Sequence, residues 1–183
     1  LLYSELYEKD KSTGQVKFNA LNAQVLHLHN QSNSNSPRVK VKAKGQFTED
    51  STIEFFLIFT PGNDNFNVST KLTQVHGKSL NSFFAAANQM KLDGKIDRIK
   101  TEFSGNNQQL NGKFEIDYKK LKLEILKKDG SKNNFASLLT NVFIKNKDVS
   151  HHFDLKNIKR NSTKSFWNYV LSFHLEGLKK SLL

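Results

Sequence analysis

The chain has no cysteine, which excludes a disulfide scaffold, a cysteine-ligated metal and a cysteine nucleophile. That absence leaves the compartment open, because reducing and oxidising spaces both tolerate it. Arginine is scarce as well: of the 28 basic residues, only Arg38, Arg98 and Arg160 are not lysine. No purely apolar run exceeds Phe55–Phe59, far short of the roughly 20 residues a helix needs to span a bilayer. No stretch combines a charged start with an apolar core in the manner of a signal peptide. The chain opens Leu1-Leu2-Tyr3 without an initiator Met, and the expectation is an excised or processed piece of a longer protein.

What is present points to a folded domain. A length of 183 residues suits one domain, here taken as 1–183, which should bury roughly 70% of its unfolded surface. Phe occurs 15 times, enough to build a core, and a quarter of the residues are charged. The formal charge of +11 invites a nucleic-acid reading. Lysine, however, is a hydrated point charge that serves equally as a solubilising surface residue, whereas phosphate and base-edge recognition favours the arginine fork. Sheet readers of nucleic acid also interleave aromatics with the basic residues of one face. The best basic stripe, Arg38, Lys40, Lys42 and Lys44, carries no aromatic in its own phase. A second cluster, Lys119, Lys120 and Lys122 with Lys127 and Lys128, surrounds residues needed for a core. No nucleic acid is expected as partner. A membrane surface or another anionic partner fits the basic patches equally well.

Alternation dominates the first two thirds. Val39, Val41, Ala43, Gly45 and Phe47 face one way and Arg38 to Lys44 the other, which predicts a strand with one dry and one wetted face. Val16, Phe18 and Ala20 share one phase and Leu21, Ala23 and Val25 the other, predicting a bulge or bend near Ala20. Residues 30–37 read as a loop. Ile53 to Phe59, the Thr60-Pro61-Gly62-Asn63-Asp64 turn and Phe66 to Leu72 predict a hairpin. Strands follow over 94–103 and from Leu110 to Tyr118, the latter continued by Leu121, Leu123 and Ile125 after a phase slip at Lys119-Lys120, and a short one holds Phe153 and Leu155. Helices are predicted over Ser79 to Lys91, over Phe135 to Phe143, and from Phe166 to Leu182, the last capped by Ser162 or Thr163. Gly177 marks a bend or a close approach in it. The fold class is α+β: a curled, mostly antiparallel sheet of seven or eight strands, with two or three helices on its concave face or end.

Catalytic chemistry is sparse. His27 and His29 share a strand face without a nearby carboxylate, His151 and His152 point apart, and His174 lies beside the apolar stripe of the last helix. Glu49-Asp50, Asp93, Asp97, Glu115, Asp117 and Glu124 look solvent-facing, with no reason to select a pair. Walker A, GxGxxG, GxSxG and HExxH motifs are absent. The expectation is a non-enzyme with no catalytic residues, metal site or cofactor.

Several blocks occur in a characteristic order: Gly14 to Ala23, Gly94 to Ile99 running into Phe103-Ser104-Gly105-Asn106, and Gly112 to Lys128. They are closed by Ser165-Phe166-Trp167 and Glu176-Gly177-Leu178-Lys179-Lys180. The ordered set resembles the C-terminal region of AsmA-like envelope proteins of the Bacteroidota type over most of the chain. The resemblance implies a module on the periplasmic side of the inner membrane, built on a curled sheet and concerned with lipid handling or outer-membrane biogenesis. It implies phospholipid or another acyl lipid as partner, a membrane anchor in the parent protein, and no catalytic residues. On that reading Val41, Phe47, Phe55, Leu57, Phe59, Val68, Phe114 and Ile116 line a concave apolar surface. The alternative is a lysine-rich binding or scaffolding domain that docks on an anionic membrane surface or an acidic protein, its core filled.

Overall fold

A computed structural model describes residues 1–5, 13–29, 36–46, 48, 50–88, 90–125 and 149–182. The predicted helix over Phe135 to Phe143, together with Phe47, Lys127 and Lys128, lies outside the described residues. Two short strands, β1 (Leu2–Glu5) and β2 (Gly14–Lys17), pair antiparallel as a separate ribbon. The main sheet contains β3 (Asn19–Leu26), β4 (Val39–Gln46), β5 (Thr52–Phe59), β6 (Phe66–His76), β7 (Met90–Gly105), β8 (Gln109–Ile125) and β9 (Val149–Lys159). All seven lie in sequence order and pair antiparallel, so the sheet is a meander with β3 and β9 as its edges; it does not close. Helix α1 (Asn81–Asn88) follows β6 through a 3-10 turn at Gly77–Leu80, and α2 (Phe166–Leu182) ends the fold.

The predicted bulge near Ala20 is present. Ala20 has φ 45°, and the β3–β4 register shifts between Asn19 and Asn22. The phase slip at Lys119-Lys120 is also a bulge, and the strand continues through it to Ile125 as expected. Lys120 has φ 48° and faces Gly94, whose φ of 106° and lack of a Cβ let the Lys120 carbonyl approach. The hairpin over residues 51 to 75 forms as β5 and β6, from Thr52↔Thr73 to Phe59↔Phe66.

Two helix expectations are corrected. The segment predicted over Ser79 to Lys91 is helical only to Asn88, and Met90 and Lys91 already belong to β7. Met90 and Leu92 are buried on the strand period, so packing on the sheet overrides the helical spacing that Met90 also satisfies. Ser79 does not cap the helix; its hydroxyl donates to the His76 carbonyl. Asn81 instead acts as a substitute strand partner, donating Nδ2–H to Leu92 O and accepting from Leu92 N–H at 2.7 Å. The cap of α2 is Ser165, whose Oγ accepts from Asn168 N–H at 3.0 Å, rather than Ser162 or Thr163.

Register places the side chains in rows. One face carries Val41↔Leu57↔Val68↔Phe103 and Ala43↔Phe55↔Thr70↔Thr101↔Phe114↔Phe153. This inner face packs on α2. The Phe173 ring stacks on Phe103 with centroids 4.3 Å apart, and Phe66 meets Phe166 edge-on at 5.2 Å. Gly177 lies on the Phe114 ring, and Tyr118 OH donates to Ser181 O. The other, outer face carries the polar rows Lys44↔Glu54↔Lys71↔Lys100↔Glu115↔His152 and Thr73↔Arg98↔Asp117↔Ser150.

Candidate functional site

The apolar residues singled out by alternation share one face. Leu57, Val68, Phe114 and Ile116 are buried, the last two completely. Val41, Phe55 and Phe59 share the same face nearer the β3 edge and are only half-buried. The division follows α2, which crosses β8 and β9 at its C-terminal end and reaches β5 with Trp167, 5.4 Å from Phe55. Beyond Trp167 the same rows continue onto β4 and β3 with no helix over them among the described residues. Leu21 and Val25 are exposed there, Val25 to 49%, and Trp167 itself to 46%. Trp167, in the first turn of its helix, sits at the margin of the helix's apolar stripe.

The basic residues fall on the outer face, in two separate places. Arg38 precedes β4 and Lys40, Lys42 and Lys44 lie on it, whereas Lys119, Lys120 and Lys122 sit on β8, with three strands in between. Lys44 pairs with Glu54 at 3.3 Å, and Lys119 with Asp97 at 3.7 Å. The expectation that the β4 stripe has no aromatic on its face is corrected. Register places Phe56 of β5 opposite Lys42, with the ammonium 5.9 Å from the ring centroid. Sequence alternation along one strand does not show what the neighbouring strand contributes.

Two polar clusters were not legible as clusters. On the outer face Arg98 Nε donates to Asp117 Oδ2 at 2.6 Å, and its fork reaches Glu115 at 3.7 Å. Ser150 Oγ donates to Asp117 Oδ1 at 2.7 Å and lies 3.5 Å from His152 Nε2. The pairing and hydrogen bond with Arg98 hold the Asp117 carboxyl below its ordinary value against partial desolvation, and Ser150 adds to the effect. Serine here stands between carboxylate and imidazole, donating to the acid. A nucleophilic triad needs the imidazole in the middle, so this arrangement is an ion-paired strand surface.

The second cluster lies between sheet and helix. His174 Nδ1 donates to Val170 O at 3.0 Å, which leaves Nε2 of the neutral ring as an acceptor for Thr70 Oγ1 at 2.8 Å. Thr70 and Thr101 hydroxyls are themselves 2.8 Å apart. Burial pushes the imidazole below its ordinary value, partly offset by the Val170 carbonyl. The cluster satisfies two buried threonines under the helix, consistent with a packing role for His174. His29 Nε2 contacts Pro37 O, and no group of three potential metal ligands occurs among the described residues. No helix of the described residues is long and apolar enough to cross a membrane.

Comparison with known proteins adds no relative: no family model, no curated protein and no solved structure matches the chain.

Proposed function

We propose that this chain is a non-enzymatic module of the cell envelope that handles phospholipid, in the manner its sequence resemblance to AsmA-like proteins implies. On this reading it works on the periplasmic side of the inner membrane as part of a longer, membrane-anchored protein. The sheet curls around α2, and acyl chains lie along the apolar face where the helix leaves it uncovered. One observation carries the proposal: the apolar rows of the inner face extend past Trp167 onto β4 and β3, leaving Leu21 and Val25 in solvent beside half-buried Val41 and Phe55. An apolar margin that no helix covers among the described residues is the kind of surface a lipid-handling protein offers its cargo.

Native mass spectrometry of the chain purified from a membrane-rich lysate, together with transfer of labelled phospholipid between vesicles, tests the proposal. Co-purifying phospholipid and measurable transfer are expected. A lipid-free mass combined with no transfer sinks it.

A second reading has its own observation in favour. Arg38 and Lys40 meet no carboxylate among the described residues, although they lie beside the uncovered end of the sheet. Docking on an acidic surface without lipid extraction would show as salt-sensitive binding to anionic vesicles with no transfer.

A further inference from the structure

Strand β3 differs from the other edge of the sheet. Among the described residues it pairs only with β4, and its sequence Asn19-Ala20-Leu21-Asn22-Ala23-Gln24-Val25-Leu26 contains no charge and no proline. Every residue but Leu26 is exposed. Edge strands ordinarily carry lysine, proline or a bulge that prevents another strand from adding. At the opposite edge, β9 has these devices. It carries Lys156 and Lys159, and Asn157 has φ 58° with its N–H taken by Asn111 Oδ1. A register shift between Leu110 and Gly112 breaks its pairing with β8. On β3 the bulge at Ala20 leaves Asn22 to Leu26 in unbroken register with Lys44 to Lys40.

We propose that the β3 edge is a docking site for an extended segment of a partner protein that alternates apolar and acidic residues, added as an eighth strand. Backbone groups of residues 22–26 that face away from β4 supply the pairing. On the inner face the added strand meets Ala23 and Val25; on the outer face it meets Asn22, Gln24 and Leu26, with Lys44, Lys42 and Lys40 of β4 respectively behind them. Charge selects the partner. Arg38 and Lys40 face no carboxylate among the described residues, and the chain as a whole carries +11. A second copy of this chain is disfavoured by the same charge, which would set lysine columns against each other. A membrane surface fits less well because the apolar and basic residues of β3 and β4 point to opposite faces of the sheet, whereas a bilayer presents acyl chains and headgroups to one side. The proposal is independent of lipid handling, since it needs backbone pairing at the edge and no acyl chain.

The test uses the full chain and three synthetic peptides: alternating Val and Glu, alternating Val and Lys, and a scrambled Val/Glu sequence. Fluorescence anisotropy should show binding of the alternating acidic peptide alone, weakened by salt. Val25→Lys and, separately, Lys42→Glu should each weaken it by about tenfold or more. Hydrogen exchange should slow at residues 22–26 when that peptide is bound. Binding of the scrambled peptide with equal affinity, or binding without slowed exchange at 22–26, overturns the proposal. Slowed exchange there on anionic vesicles but not with the peptide overturns it in favour of a membrane. Lys42 is exposed on the outer face, so Lys42→Glu serves as the variant if Val25→Lys fails to fold.

Discussion

Gly177 is a residue at which helix propensity and tertiary packing pull in opposite directions. Alanine in the middle of α2 would gain about 1 kcal/mol of helix propensity. A Cβ at that position, however, falls inside the van der Waals envelope of the Phe114 ring, which is fully buried and has no room to move. Overpacking of that kind costs about 1–3 kcal/mol, so Gly177→Ala should lower stability despite the propensity gain, as read by urea denaturation. His174 gives a second test at this scale. Its imidazole is held below the ordinary value of 6.5 because the charged form is poorly solvated beneath the helix. A group depressed in the folded state contributes fully above its unfolded value and loses that contribution as pH falls through the folded one. Proton uptake also removes the acceptor that Thr70 uses. Thermal melts should therefore show stability falling as pH drops below about 6.5, and His174→Gln should flatten that part of the profile. The charged groups of the neighbouring strands, Lys71, Lys100 and Glu102, lie in the opposite phase and do not face this ring. If wild type and His174→Gln follow the same acid limb, the histidine is not its cause.

Among the elements, strands were legible where their signal was local. Alternation in residues 38–46 gave β4 its two faces because a strand's side-chain period holds whatever lies beside it. Two of the bulges, at Ala20 and Lys120, were legible as phase slips for the same reason. Long-range effects were not. Met90 satisfied both the helical spacing and the strand phase, and only its place against β8, opposite Ile125, decides between them. Asn81 reads in sequence as an ordinary polar helix residue; its two hydrogen bonds to Leu92 come from a strand eleven residues further on. The N-terminus of α2 shows the same difficulty on a short scale, since Ser162, Thr163 and Ser165 are all competent caps. Geometry selects Ser165, while Asn161 holds the preceding turn through Thr163 N–H at 3.0 Å. Ser165→Ala should cost about 1 kcal/mol, or about 2–4 °C in melting temperature for a domain of this size. Ser162→Ala should leave the melt unchanged. Equal effects at the two positions would show that the cap is shared.

For the whole molecule, the central relation is between a sheet seven strands wide and a helix that covers only part of it. Alternation identified the inner-facing residues but not which of them α2 would cover, because that depends on where a helix from the far end of the chain crosses the strands. The result is a part of the apolar face sealed under Phe173 and Gly177 and, beyond Trp167, a margin where Leu21 and Val25 are exposed while Val39 stays buried. The chain contains a single tryptophan, and it sits at that boundary. On the proposed lipid-handling reading, its emission is the reporter of where lipid would bind. With vesicles whose acyl chains carry bromine, lipid at the open end should shift the Trp167 emission to the blue and quench it. Val25→Asp should reduce both effects, since it puts a charge on the exposed apolar surface. Trp167→Ala, read instead by labelled-lipid binding, should weaken affinity by about tenfold, the equivalent of one partly buried aromatic contact. Lipid binding that leaves Trp167 emission unchanged would place the cargo under α2 instead. The helix would then have to lift from Phe103 and Phe114, and Phe173→Ala, which weakens that contact, should increase lipid uptake rather than leave it unaltered.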